Sequence, residues 1–314
     1  MADSAADSKQ KRVSCGVAYR ERVYLSVITW TMFGFSPGNR SCDGTREEHA
    51  VLRNCIRDNH VIRSWIRFEM IRPKNVPAGL FTIRGIMGVC HLLVDDHGNV
   101  VLLDTGLIGE QAQIRRRLRR LGLGPENVKA ILLTHGHLDH AGNLAWAKAW
   151  TGAPIHAHPL EQAHIDGTFP YRGANAWCGR LERAGRAVLR VGAPAKIDVT
   201  IMDEDELPFW GGLRVVHLPG HTLGHCGFYS ARHDLLFAGD LFASYFFRTH
   251  LPYRILNTAP ELIPASLEKA RRLNARWIVP QHYDVLDGAL HRRRFDRFLA
   301  QRERRRIERT RPVV

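Results

Sequence analysis

Thr134-His135-Gly136-His137-Leu138-Asp139-His140-Ala141-Gly142 is the stretch on which the reading of the fold turns. Three imidazoles and a carboxylate fall between positions 135 and 140, directly after residues 128–133, an apolar run with the length of a buried strand. On a continuous helix these four groups would point in different directions. In a loop at a strand's end they converge, and Gly136 and Gly142 permit the tight backbone that this requires. Imidazole nitrogen with carboxylate oxygen is a donor set suited to zinc, manganese or iron, so the stretch predicts a metal site at the edge of a sheet.

Working outward, strand signals precede this stretch at Leu80–Arg84, 88–94 and Val100–Leu103, with Asp96-His97-Gly98-Asn99 as the turn between the last two. Residues 110–121 read as a helix with Ile114, Leu118 and Leu121 on one face. Arg115, Arg116, Arg117, Arg119 and Arg120 fill the remainder, which reads as a solvated face, and Gly122 and Gly124 end the helix. Beyond the His-rich stretch, strands are expected at 154–157, 199–202, 213–218, 226–229, 235–238 and 277–279, and helices at 143–150, 259–273 and 288–306. Ser or Thr capping is expected near the start of the 259–273 helix. Hairpin strands followed by alternating strands and helices suggest two sheets covered by helices.

These residues resemble the metallo-β-lactamase-fold hydrolases, whose signature is HxHxDH followed by an isolated His, an Asp and a last His. The resemblance covers about residues 75–290. Leu218-Pro219-Gly220-His221-Thr222 matches the second motif, Phe237-Ala238-Gly239-Asp240 the third and Val279-Pro280-Gln281-His282 the last; Asp104-Thr105-Gly106 resembles the family's early strand-end Asp. The resemblance implies an α/β fold, a four-layer αββα sandwich of two mixed sheets flanked by helices. It implies two divalent ions, Zn2+ first and Fe or Mn as alternatives. His135, His137 and His221 would hold one ion, Asp139, His140 and His282 the other, and Asp240 would bridge them. Asp104 and His225 would support the ligands from behind. A hydroxide between the ions would be the nucleophile, with Asp139 orienting it or passing a proton.

Asp240 stands where the true β-lactamases of this fold carry Cys or Ser, and His137 where the flavodiiron reductases carry Glu, so the resemblance points to a thioesterase or lactonase like glyoxalase II. Residues 160–191 and 241–257 are the expected pocket walls, with Tyr245, Tyr253, Tyr283 and Arg172 as substrate contacts. The expected partner is a small acyl compound. Two alternatives stay open: a nuclease or phosphodiesterase acting on nucleic acid with the same metals, and a mononuclear iron persulfide dioxygenase. His156 and His158 are expected to be structural, and His91 and His97 to be surface or packing residues.

The chain has 314 residues and a formal charge of +14. The last 24 residues hold 10 Lys and Arg against 3 Asp and Glu, so half of the excess lies in a basic C-terminal helix or tail at 291–314. Charge is therefore a poor guide to the substrate of the body at 70–290. Residues 1–69 show no sustained period and read as a weakly ordered extension, with Met70 as a candidate functional start. Six scattered cysteines without a CxxC pair fit reduced thiols in the cytoplasm. The apolar stretch at 24–35 is followed by no small-x-small cleavage site, and no run is long enough to span a membrane.

Overall fold

In the strand Val100–Leu103, Val101 and Leu103 point to one side and Val100 and Leu102 to the other, and all four are buried. A strand apolar on both faces needs a layer on each side, and this requirement recurs along the chain. The computed structural model describes residues 73–85, 89–168, 171, 176–189, 191–245 and 248–310. The extension expected at 1–69 lies outside them.

The first sheet contains β1 (Leu80–Arg84), β2 (Val89–Val94), β3 (Val100–Leu103), β4 (Val128–Leu132), β5 (Ile155–Ala157) and β6 (Val199–Thr200), in that spatial order. The first three strands run antiparallel and the connections from β3 to β6 are parallel. The second sheet comprises β7 (Glu206–Leu207), β8 (Leu213–His217), β9 (Cys226–Ser230), β10 (Leu235–Gly239) and β13 (Trp277–Pro280), in the order β13-β10-β9-β8-β7. A ribbon of β11 (Ala243–Tyr245) and β12 (Arg248–His250) follows β10.

Between the sheets, Leu93, Val101, Leu103 and Leu132 meet Val215, Phe228, Phe237 and Val279. The opposite face of the first sheet, with Leu92, Val100, Leu102 and Ile131, is covered by Ile114 and Leu118 of α1 (Glu110–Arg120) and Leu144 and Ala147 of α3 (Leu144–Thr151). On the second sheet, Leu236, Ala238 and Ile278 pack against Leu267 of α6 (Ile263–Leu273) and Phe295 of α7 (Gly288–Thr310). The result is the expected αββα sandwich. Each fully buried Leu, Val or Phe contributes about 1.5–3 kcal/mol of transfer free energy.

Topology decides where the site lies. β3 and β4 are parallel, as are β10 and β13, so the C-terminal ends of each pair share an edge. At that edge the sheets are tied together, because the Cys226 N–H donates to the Thr134 carbonyl at 2.9 Å.

Most expected elements appear with ends shifted by a residue or two, but several differences have clear causes. No Ser or Thr caps α6; a 3-10 turn over Pro260–Leu262 leads into it, and Leu262 occupies the cap position without a side-chain bond. The short helix α4 (Gln162–Ile165) and the helix α5 (Ala176–Leu189) were not expected within the presumed pocket wall, nor were the two-residue strand β7 and the ribbon. The boundary at 291 falls inside α7, whose first turns bury His291 and Phe295, so only the distal part of this helix is a basic projection. Two of the arginines on α1 do more than face solvent. Arg115 lies over the rings of Trp146 and Trp150, and Arg117 over Phe81. No helix among the described residues is long and apolar enough to cross a membrane.

Candidate metal centre

β4 ends at Leu132, and residues 133–137 run irregularly along the sheet edge before one helical turn, α2 (Leu138–Ala141). The His140 and Ala141 N–H groups both donate to the His137 carbonyl, at 3.0 and 2.8 Å, which closes the turn and projects Asp139 and His140 beside His135 and His137. His221 arrives from the β8–β9 connection. Its predecessor Gly220 has φ +139°, and a Cβ there would lie 2.5 Å from Ile263 Cγ1, so the close approach of α6 demands glycine. Asp240 follows β10 and His282 follows β13.

All seven expected ligands meet. His135, His137 and His221 form one cluster, Asp139, His140 and His282 another, and His135, His140 and Asp240 a third that joins them, with donor atoms in each group within 4.8 Å of one another. Asp240 faces both sides: Oδ1 lies 3.4 Å from His140 Nε2, and Oδ2 lies 3.5 Å from His221 Nε2 and 3.1 Å from His282 Nε2. Asp139 Oδ2 lies 3.3 Å from His282 Nε2 and 3.5 Å from His140 Nε2.

Each imidazole offers one nitrogen inward because the other is engaged behind it. His135 Nδ1 meets the Thr134 hydroxyl at 3.1 Å, which leaves Nε2 inward. His137 is reversed: Nε2 meets the Tyr171 hydroxyl at 2.6 Å, while Nδ1 lies 2.9 Å from His221 Nε2. His221 Nδ1 donates to Asn257 Oδ1 at 2.8 Å, and His140 Nδ1 to Asp104 Oδ2 at 2.9 Å. His282 Nδ1 lies 3.4 Å from the Tyr245 hydroxyl. His135 Nε2, His140 Nε2 and Asp240 Oδ1 are buried without a hydrogen-bond partner among the described residues. Converging, orphaned donors of this kind fit divalent metal ions, which would satisfy them.

The electrostatics divide the site. Burial, with neighbouring imidazoles adding to it, holds His135 and His137 well below the usual histidine range, and burial also lowers His221. Burial opposes charge on His140 and His282 as well, but Asp240 and Asp139 outweigh it. His140 is held well above its ordinary value and His282 is raised to about 10. The two aspartates are correspondingly lowered, since the imidazoles overcome the cost of their burial.

Asp104 and His225, expected behind the ligands, lie against them and are joined by others. Asp104 occupies the left-handed region at φ 58°, which aims its carboxylate at the Thr134 N–H and hydroxyl and at His140. His225 donates from Nδ1 to the Leu218 carbonyl and accepts the Asp240 N–H at Nε2, at 3.0 and 2.9 Å, so it orients the bridging carboxylate through its backbone. Glu161 accepts the Gly136 N–H at 2.6 Å and the Gly224 N–H at 2.8 Å, clamping two ligand loops together, and burial pushes its carboxyl up to about 7. Thr134 and Gln281 adjoin ligands in the sequence, so adjacency could have flagged them. Tyr171, Asn257 and Glu161 carry no such signal.

The expected substrate contacts fare unevenly. Tyr245 reaches the site edge through His282. Tyr253 is 61% exposed and its ring meets His250, whereas Tyr283 is buried in the inter-sheet core with its hydroxyl 3.0 Å from Thr82 Oγ1. Tyr283 is thus a packing residue beneath the site, because residues 282 and 283 follow a strand and point to opposite sides. Arg172 lies outside the described residues. His158 stacks on His217 and accepts the Leu160 N–H at Nδ1, a structural role as expected, whereas His156 packs on Phe209 with neither ring nitrogen hydrogen-bonded among the described residues. His91 is wholly buried and hydrogen-bonded at both nitrogens, which makes it more than a surface or packing residue.

Residues 83–282 match the family model described as the metallo-beta-lactamase superfamily. Hydroxyacylglutathione hydrolase GloC of Haemophilus influenzae is 32% identical over 171 residues, which are 52% of this chain and 71% of that protein. A probable metallo-hydrolase of Bacillus subtilis, YybB, is 33% identical over 189 residues, 60% of this chain and 72% of that one. Among solved structures, a metallo-beta-lactamase family protein of Thermus thermophilus superposes with a TM-score of 0.57 at 25% identity, covering 73% of this chain and 81% of its own.

Proposed function

The chain belongs to the metallo-beta-lactamase superfamily of metal-dependent hydrolases, and from that premise we propose that it is a two-metal hydrolase of a thioester, lactone or related ester-like bond. The observation that carries this reading is the position of Asp240, with one carboxylate oxygen toward His140 and the other toward His221 and His282. His135 Nε2, His137 Nδ1 and His221 Nε2 would hold one ion, and Asp139, His140 Nε2 and His282 Nε2 the other, with Asp240 shared. Two divalent ions, when bound, would supply Lewis acidity toward a carbonyl oxygen and a water ionised near neutral pH.

The protein's own groups divide the remaining work. His225 and Asp104 hold Asp240 and His140 in place before substrate arrives, which limits reorganisation during the reaction. Asp139 is the more open of the two site carboxylates, its side chain 19% exposed against 8% for Asp240, and is the group positioned to hold or pass a proton. Tyr245 lies at the rim beside His282, within reach of an entering substrate. The likeness to a hydroxyacylglutathione hydrolase supports the thioester class. The buried free thiols Cys90 and Cys226 support a reducing, cytoplasmic setting, and burial raises the pKa of both.

The test is metal analysis of the purified chain together with turnover of thioester, lactone, β-lactam and phosphodiester panels. Two zinc-like ions per chain with thioester or lactone turnover is the expected result. A single iron, or turnover confined to phosphodiesters, would replace this reading with the dioxygenase or the nuclease.

A further inference from the structure

Behind His140 lies a file of buried polar groups that the hydrolytic reading does not use. Gln281 Nε2 donates to Asp104 Oδ2 at 2.5 Å, on the same oxygen that accepts His140 Nδ1. Gln281 Oε1 meets His91 Nε2 at 2.8 Å, His91 Nδ1 meets Thr82 Oγ1 at 3.1 Å, and Thr82 Oγ1 meets the Tyr283 hydroxyl at 3.0 Å. Gln281 and His91 are both buried, at 1% and 0% exposure.

Only one arrangement of protons satisfies this file when His140 is a metal ligand. His140 must keep its Nδ1 proton and direct it to Asp104, so that Nε2 has a free lone pair. Asp104 is an acceptor, so Gln281 must turn its amide nitrogen toward it and its carbonyl oxygen toward His91. That oxygen requires a proton on His91 Nε2, which leaves His91 Nδ1 to accept from Thr82, and Thr82 in turn accepts from Tyr283. Neutral His91 meets the requirement: burial pushes its pKa down to about 3 against the bond to Gln281, and Arg84 adds to the lowering.

We propose that Gln281 and His91 are positioning residues that hold the Asp104 carboxylate on His140 and so set the affinity of the Asp139–His140–His282 cluster separately from that of His135, His137 and His221. This rests on the two-metal reading above. Without the His91 donor, the Gln281 amide can reverse and present its oxygen to Asp104, pushing the carboxylate away from His140. Gln281 directly precedes His282, so its placement affects a second ligand of the same cluster. The Thr134 N–H donates to the other oxygen of Asp104, Oδ1, at 2.8 Å, and the Thr134 hydroxyl reaches both oxygens, 3.0 Å from Oδ1 and 2.8 Å from Oδ2, so the carboxylate keeps these anchors when the Gln281 amide is lost.

The experiment is stepwise Co(II) titration of the metal-free full-length chain under chelator competition, read by absorbance. It compares wild type with His91→Leu, Gln281→Glu and the conservative His91→Gln. Thermal melting checks that each variant folds; if His91→Leu does not, Gln281→Glu decides. In wild type, two binding steps are expected. In His91→Leu and Gln281→Glu one step weakens by about tenfold or more while the other stays within about twofold, and His91→Gln recovers most of the loss. Two unchanged steps, or two steps weakened alike, would overturn the proposal while leaving the two-metal reading intact. A wild-type chain with a single step would overturn that reading, and this inference with it.

Discussion

One half of the site offers three imidazoles and the other two imidazoles with the Asp139 carboxylate, and the two halves are supported differently. His135, His137 and His221 are backed by neutral groups, the hydroxyls of Thr134 and Tyr171 and the amide oxygen of Asn257. His140 is backed by the Asp104 carboxylate, and His140 and His282 both face Asp139 and Asp240. Neutral partners orient a ring without making it more basic; carboxylates do both. This is why burial lowers the first three histidines, whereas His140 is raised although it is fully buried, and the part-exposed His282 is raised with it. The difference teaches that one half is arranged as a neutral donor set in advance, while the other holds its charge within a carboxylate network.

The strongest way to break the comparison is to remove what both halves share. Asp240→Ala is expected to lower turnover by on the order of 10^3-fold or more, about 4 kcal/mol of barrier, and to weaken metal binding in both halves. Steady-state assays with metal analysis test this, and near-native turnover would sink the proposed centre.

Gly239 presents Asp240 from the left-handed region, at φ +53°, and a Cβ there would lie 2.4 Å from His225 Nε2 and 3.3 Å from Thr134 Cβ. Gly239→Ala is therefore expected to destabilise the fold by about 3 kcal/mol through backbone strain and overpacking, measured by denaturant unfolding. It should also break the His225–Asp240 bond and weaken both halves together.

A pH experiment addresses the second half alone. His291 Nδ1 lies 2.9 Å from Ser244 Oγ, and the Ser244 N–H donates to the His282 carbonyl at 2.8 Å. Burial lowers the His291 pKa from 6.5 to about 4, against the bond to the Val285 carbonyl. Below pH 6.5 the unfolded chain takes up a proton that the folded chain refuses, so stability falls as pH drops and the loss levels off below about pH 4. Between pH 7 and 5 wild type is expected to lose about 2 kcal/mol more than His291→Gln, as read by denaturant unfolding at each pH. Parallel pH profiles would remove His291 as a neutral brace.

The smallest expected effect sharpens the contrast from the other side. Tyr171→Phe removes the hydroxyl behind His137 and should weaken the first half's ion by about tenfold, leaving the second unchanged in a stepwise metal titration.

The candidate ligands were legible because each follows a strand and carries chemistry that a core does not need. His135, His137, Asp139 and His140 sit together, and His221, Asp240 and His282 each end a short motif. The residues behind the ligands were much less visible. Asn257 and Tyr171 lie 36 and 34 residues from the histidines they contact, and their roles depend on which ring nitrogen is left to bond. His91 sits 190 residues from Gln281, so no local pattern could join them. Tyr283 misled because adjacency to a ligand on an extended segment places a residue on the opposite side.

The candidate donor set and the layered fold were already written in the chain, since strand-length apolar runs and strand-end histidines are local properties. Tertiary structure alone decided which nitrogen of each histidine faces inward and which histidines are lowered or raised. Protonation and tautomer are set by partners that reach the site from other strands and loops, at distances that no spacing along the chain encodes.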